Sequence, residues 1–190
     1  NVAPVRTQYE ALDMVINAAE TLGYPRNHDY NGASQDGFGY YQVTQKNGLR
    51  FSAKKAYLQP ARKRPNLRII THAHVTKISL ASKRADGVHY NRHGKLHHIK
   101  AGREVILSAG AIQSPQILEL SGIGAPEHLR RHGIEMRHEL SGVGNHLTDH
   151  YISRLSWRLR RNISLNNSAH GLGLATEMLR YGLTRRGLLS

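Results

Sequence analysis

The stretch Gly110–Gly124, GAIQSPQILELSGIG, sets small residues, a Ser-Pro step and a Ser-Gly-Ile-Gly ending around one short apolar run. It follows directly on Glu104-Val105-Ile106-Leu107-Ser108-Ala109, a β-branched apolar segment that closes on residues with almost no side chain. A strand stripped in this way at its carboxyl end lets a ligand or another backbone come close. Ser114 suits an N-cap, Pro115 the first helical position, and Gly122 the left-handed residue beyond the helix end. The spacing therefore predicts a buried strand that enters a short helix through a small-residue turn. In open α/β sheets such a turn puts free backbone N–H groups and the positive end of a helix at the carboxyl edge of the sheet, where nucleotide phosphates and sugars bind. A strand and helix that merely pack closely need the same small residues, so both readings stand.

Working outward, four strand-like runs precede this stretch: Leu67 to Thr71, Val75 to Leu80, Ala85 to Tyr90 and Leu96 to Lys100, with Arg92-His93-Gly94-Lys95 as a hairpin turn. Nearer the amino end, Thr7 and Glu10 have capping-box spacing. Leu12, Val15, Ile16, Ala19 and Leu22 follow as a helical apolar stripe, and Gly23 can close it. From His28 to Phe51 the chain is rich in Gly, Asn and Tyr, a length of loop that is uncommon unless it works, which marks a candidate binding segment. Ser52 is placed to cap a helix running through Tyr57 and Leu58, which Pro60 should end or kink. Beyond Gly124, Pro126 to His132 reads as a short helix closed by Gly133, and Leu140 to His150 as a Gly-rich turn. Ile152, Leu155, Trp157 and Leu159 give a further strand-like run, and Leu172 to Leu183 an amphipathic helix that stops near Arg185-Arg186-Gly187.

A chain of 190 residues carries 27 Lys plus Arg against 13 Asp plus Glu, a formal charge of +14. Such a balance makes an anionic partner worth considering: a phosphate-bearing cofactor, a nucleic acid or a lipid headgroup. The charge is dispersed and no nucleic-acid motif accompanies it, so no nucleic-acid partner is expected. With no cysteine, disulfides and thiolate metal sites are excluded. No apolar run reaches spanning length, so the expectation is a cytoplasmic protein, with peripheral association at the inner face of a membrane left open. The 13 histidines include the strand pair His72 and His74, the neighbours His97 and His98, and His146 and His150 four apart. None has a carboxylate at ligand spacing or an HExxH frame, and no metal site is assigned.

The decisive stretch resembles, at every position, the second signature of the glucose-methanol-choline oxidoreductases, the FAD-dependent alcohol oxidases and dehydrogenases. The likeness runs through Asp29-Tyr30-Asn31-Gly32-Ala33, Gly39-Tyr40-Tyr41-Gln42, Arg50-Phe51-Ser52-Ala53, Ala56-Tyr57-Leu58 and Arg64-Pro65-Asn66-Leu67. It continues in Ala73-His74-Val75-Thr76-Lys77-Ile78, Arg84-Ala85-Asp86-Gly87-Val88, and Gly142-Val143-Gly144 through Asp149-His150, and is nearest the choline-dehydrogenase-like branch. His146 departs from the pattern, standing where the family usually has Asn.

The resemblance implies an α/β chain that is a partial FAD-binding Rossmann-like domain with a β-meander, joined to the start of a substrate-binding domain. Its expected divisions are 1–51, a helix and Gly/Tyr-rich loop bordering the flavin and substrate region; 52–149, the central part of the FAD domain; and 150–190, the start of the substrate domain. It implies an internal fragment, without the GxGxxG turn that opens the family or the closing segment with the active-site His, and so no catalytic residue is assigned. Val75 is implied as an adenine contact through its backbone, Ser108, Ala109 and Gly110 as a backbone wall near the nucleotide, and Asn31 and Gly32 as a loop approaching the flavin. A buried strand valine is a reading compatible with that role for Val75, and ordinary turn chemistry accounts for Asn31 and Gly32 equally well. For Asp149 and His150 a structural capping pair is the first expectation. The implied activity is oxidation of a primary alcohol to an aldehyde by hydride transfer to flavin, with a small alcohol as substrate and oxygen, a quinone or another carrier as electron acceptor. A non-catalytic basic binding module and an inactive truncated gene product are the alternatives.

Overall fold

The computed structural model of the chain describes residues 1–161 and 163–190. In chain order the elements are β1 (Ala3–Pro4), α1 (Glu10–Thr21), β2 (Gln42–Val43), β3 (Gln45–Lys46) and β4 (Leu49–Arg50), then a π-helical turn (Lys54–Leu58) running into α2 (Gln59–Ala61). They continue as β5 (His74–Ala81), β6 (Arg84–Arg92), β7 (Lys95–Lys100), α3 (Gln113–Leu120), β8 (Ile123–Gly124), α4 (Pro126–Arg131), β9 (His138–Glu139), a 3₁₀ turn (Leu165–Ala169) and α5 (Gly171–Thr184). The chain divides into two compact units, one formed by Asn1–Arg68 with Arg154–Ser190 and the other by Ile69–Ser153.

The continuous unit is organised by an antiparallel meander, β5-β6-β7, in which Ile78, Val88 and Ile99 stand in one row and Val75, Tyr90 and His97 in another. The β6–β7 hairpin turn is made by His93 and Gly94, both at positive φ (53° and 76°), the pair of left-handed residues that matches the strands' twist. Helix α3 packs on β5 through buried Ile117. After it, β8 and β9 pair in parallel, Ile123 opposite His138, with α4 as the crossover; Leu129 of α4 is fully buried at 0% exposure. Gly122, at φ +82°, makes this closure possible, because a Cβ there would run into the Glu135 carbonyl oxygen.

Several boundaries differ from expectation for definite reasons. Helix α3 starts at Gln113 with Ile112 as the N-terminal flanking residue, so Ser114 is the second helical residue and not the cap. The runs 67–71, 105–107 and 152–159 form no strand. Residues 104–108 still keep a strand's alternation, with Val105 and Leu107 half-buried between exposed Glu104, Ile106 and Ser108, but they have no ladder partner among the described residues.

The discontinuous unit is built on α1, whose inner face is Ile16 and Ala19; Leu12, Val15 and Leu22 of the anticipated stripe are exposed. Thr7 does not cap α1. Its hydroxyl accepts from the Gly187 N–H at 2.9 Å and lies 3.3 Å from Ser190 Oγ, tying the two segments of the unit together. The Gly- and Tyr-rich loop is pinned to α1 by Tyr40, whose hydroxyl donates to Asp13 Oδ1 at 2.9 Å. Burial first, and Asp13 after it, raise the Tyr40 phenol above its ordinary range. Ser52 offers only its backbone carbonyl, to the Ala56 N–H at 2.9 Å. Pro60 does not stop the helical run: the Gln59 N–H reaches back five residues to Lys54 O, and Pro60 falls in the first turn of α2, where its missing N–H is not needed. Helix α5 ends at Arg185, left-handed at φ 57°, close to the predicted stop. No helix among the described residues is long and apolar enough to cross a membrane.

Candidate functional site

The small-residue turn before α3 is shaped by two hydrogen bonds. The Ala109 N–H donates to Ser114 Oγ at 3.0 Å, and the Ser114 N–H donates to the Gly110 carbonyl at 3.0 Å. Ser114 thus closes the turn from inside the helix. Gly110 holds φ +93°, and a Cβ built there meets no heavy atom within 4 Å, so the turn faces open space.

Beside it lies a cavity of about 450 Å³. Val75 from β5 and Ser108 and Ala109 from the extended segment meet in its wall, together with His74, Gln113 and Ile117. Three of the six anticipated site residues therefore converge. Gly110 sits at the turn just past the wall. Asn31 and Gly32 belong to the discontinuous unit, where Asp29 accepts their N–H groups, Asn31 on its side chain at 3.1 Å and Gly32 on its carbonyl at 2.9 Å, and Asn31 Nδ2 donates to Gln42 Oε1 at 2.8 Å.

The cavity's size is that of a small-molecule or cofactor pocket, and its walls mix branched apolar side chains with a few polar groups. Two residues of its lining, Ile78 and Ile117, are joined through a serine that sequence inspection overlooks. Ser121 is buried; its hydroxyl accepts the Ile78 N–H at 2.8 Å and donates to the Ile117 carbonyl at 2.5 Å, locking the end of α3 onto β5. A Ser just before a helix-ending Gly reads as turn chemistry, and only the tertiary fold brings Ile78 to it.

The other face of the meander carries a polar chain. Ser79 Oγ is hydrogen-bonded to Asp86 and lies 3.1 Å from His98 Nε2, and the His98 ring stacks on His89 at 4.5 Å. Gly87 leaves the room: a Cβ there would lie 2.7 Å from His98 Nε2. Burial, then the neighbouring His98 and Lys77, push the His89 imidazole below its ordinary pKa, against a smaller opposing pull from Asp86. Elsewhere Glu119, on α3, meets His128 Nε2 at 3.6 Å, and Gly144 passes so close that a Cβ would stand 2.7 Å from Glu119 Oε1. His146, at φ 60°, lines the space beside them. Asp149 and His150 are exposed and cap no helix; the His150 N–H donates to Asp149 Oδ1 at 2.7 Å.

A meander, a bare-ended extended segment and a short helix thus surround one pocket, an arrangement of mixed α and β elements. The family description "GMC oxidoreductase" matches residues 2–152. The chain belongs to the GMC oxidoreductase family. It is 45% identical over 163 residues to oxygen-dependent choline dehydrogenase 1 of Chromohalobacter salexigens, covering 85% of this chain and 29% of that protein. It is 42% identical over 172 residues to an oxygen-dependent choline dehydrogenase of Staphylococcus xylosus, covering 90% and 30%. Among solved structures, an FAD-dependent oxidoreductase from Chaetomium thermophilum superposes with a TM-score of 0.83 at 26% identity, over 100% of this chain and 34% of that one. The chain thus spans about 30% of the length of the curated relatives it matches.

Proposed function

We infer that these residues form part of an FAD-dependent dehydrogenase or oxidase that converts a primary alcohol to an aldehyde. The observation that carries this reading is the meeting of Val75, Ser108 and Ala109 in one cavity wall beside the open Gly110 turn. Bound FAD supplies the hydride acceptor. Val75 would present its backbone to the adenine, while Ser108, Ala109 and Gly110 form a wall thin enough for the nucleotide to lie against. Ser121 and Ser114 would keep that wall rigid, and the branched side chains around it exclude water. Asn31 and Gly32 would border the flavin. In this reading 1–51 flanks the flavin and substrate region, 52–149 supplies the central part of the FAD domain, and 150–190 opens the substrate domain. Choline is the first alcohol to test, because it is in the names of the relatives. The electron acceptor would be oxygen, a quinone or another carrier, and the setting cytoplasmic, at or near the inner face of the membrane.

The test is flavin content in the oxidoreductase that contains these residues. Gly110→Val places a branched side chain in the open space and forces it to positive φ, so the variant should purify with less FAD than the parent. A dye-linked assay with choline and simple primary alcohols should then show turnover in the parent that falls in proportion to flavin. Unchanged flavin content in a folded Gly110→Val protein would overturn the assignment.

A further inference from the structure

In a regular strand, residues three apart point to opposite faces. Val75 and Ile78 of β5 are three apart, yet both line the cavity, together with Val88 of β6. The ladder register explains it. Val75 stands opposite Tyr90 and Lys77 opposite His89, so no residue of β6 is left to face Thr76. One extra residue on one strand is a β-bulge, and it reverses the alternation beyond it. Without Thr76 as the extra residue, Ile78 and Val88 would face the cavity and Val75 would face away.

A bulge that sets the wall of a binding site has to be held in place. The Thr76 hydroxyl donates to the His89 carbonyl at 3.2 Å, across the ladder at the bulge itself. The same pair of strands carries a second bulge. Ser79 stands opposite Gly87 and Leu80 opposite Ala85, which makes Asp86 the extra residue on β6 and cancels the first shift. There too a hydroxyl is the pin, Ser79 Oγ being hydrogen-bonded to the Asp86 carboxylate. The two bulges differ in what they aim. The first turns Val75 into the cavity wall, whereas neither Ser79 nor Asp86 lines the cavity.

We propose that Thr76 is a positioning residue for the nucleotide: its hydroxyl holds the bulge that keeps Val75 in the cavity wall, and so sets how tightly the cofactor is retained. Thr76 is not itself among the lining residues and acts through Val75. The proposal rests on the FAD reading of that wall given above.

The test is made in the oxidoreductase that contains these residues, by flavin content after purification and by FAD release, followed as the fluorescence of free flavin. Thr76→Val keeps the branched shape and removes the hydroxyl, and it should hold FAD about threefold to tenfold less tightly, the worth of one neutral hydrogen bond. Thr76→Ser, which keeps the hydroxyl, should restore retention. Protein that still carries flavin should keep the parent's KM for its alcohol, because the change acts at the nucleotide end. Ser79→Ala removes the pin of the second bulge; its urea midpoint should fall while its flavin stays at the parent's level. Parent-like retention in Thr76→Val, no restoration by Thr76→Ser, or an equal flavin loss in Ser79→Ala would each overturn the proposal. Gly110→Val, run alongside, separates this proposal from the reading it rests on. Flavin loss there beside full retention in Thr76→Val leaves the FAD wall standing and removes Thr76 from it, while loss in Thr76→Val alone supports Thr76 and removes Gly110.

Discussion

Two serines at the ends of α3 show how unequal similar residues become once folded. Ser114 and Gly122 both stand out in the sequence, and the glycine performs the anticipated task. Ser114 does not, because a Ser-Pro step reads as cap and first helical residue, yet proline is tolerated anywhere in a first turn whose N–H groups have no helical acceptor. The hydrogen bond from the Ala109 N–H to Ser114 is part-buried, so Ser114→Ala should cost about 0.5–1.5 kcal/mol. Ser121→Ala leaves the Ile78 N–H buried without its partner and should cost more, about 1–3 kcal/mol. Urea unfolding of the two variants side by side gives the order; a Ser121→Ala protein as stable as the parent would mean the Ile78 N–H finds another acceptor. Gly122→Ala must move the Glu135 carbonyl and strain a positive φ, and should destabilise by roughly 1–3 kcal/mol in the same experiment.

At the scale of elements, the meander was legible because alternation and a His-Gly turn are local signals. The runs 67–71, 105–107 and 152–159 are equally strand-like in composition and form no strand, since a strand exists through its neighbours and no residue pattern names them. This gives a measurable contrast. Amides of β6, bonded on both sides by β5 and β7, should be the slowest to exchange with deuterium in the continuous unit, while those of 104–108 should exchange rapidly. Slow exchange at 104–108 would reveal a pairing partner. The histidine pair on β6 and β7 adds a dependence on pH. With the His89 pKa lowered by folding, the unfolded chain takes up a proton first as pH falls below the ordinary histidine value. Stability should therefore be unaffected by His89 above about pH 7 and fall as pH drops through about 6.5 toward the depressed folded value. His89→Gln should remove part of that loss, read as a smaller difference in urea midpoint between pH 7.5 and 5.5, and a histidine Cε–H titration should place His89 below its unfolded reference.

For the whole molecule, family and fold class were readable from fifteen consecutive residues. A discontinuous unit assembled from Asn1–Arg68 and Arg154–Ser190 leaves no linker composition to find. What closes it is a pair of contacts between distant residues: Gly187 with Thr7, 180 positions apart, and Tyr181 with Gly48, 133 apart. On a ribosome this separation becomes a schedule. The continuous unit, whose meander and β8-α4-β9 closure join near neighbours in sequence, can finish as soon as residue 153 is clear of the exit tunnel. Residues 1–68 are made before the continuous unit and completed after it, because the carbonyl of Gly48 and the hydroxyl of Thr7 must wait for Tyr181 and Gly187 to be synthesised.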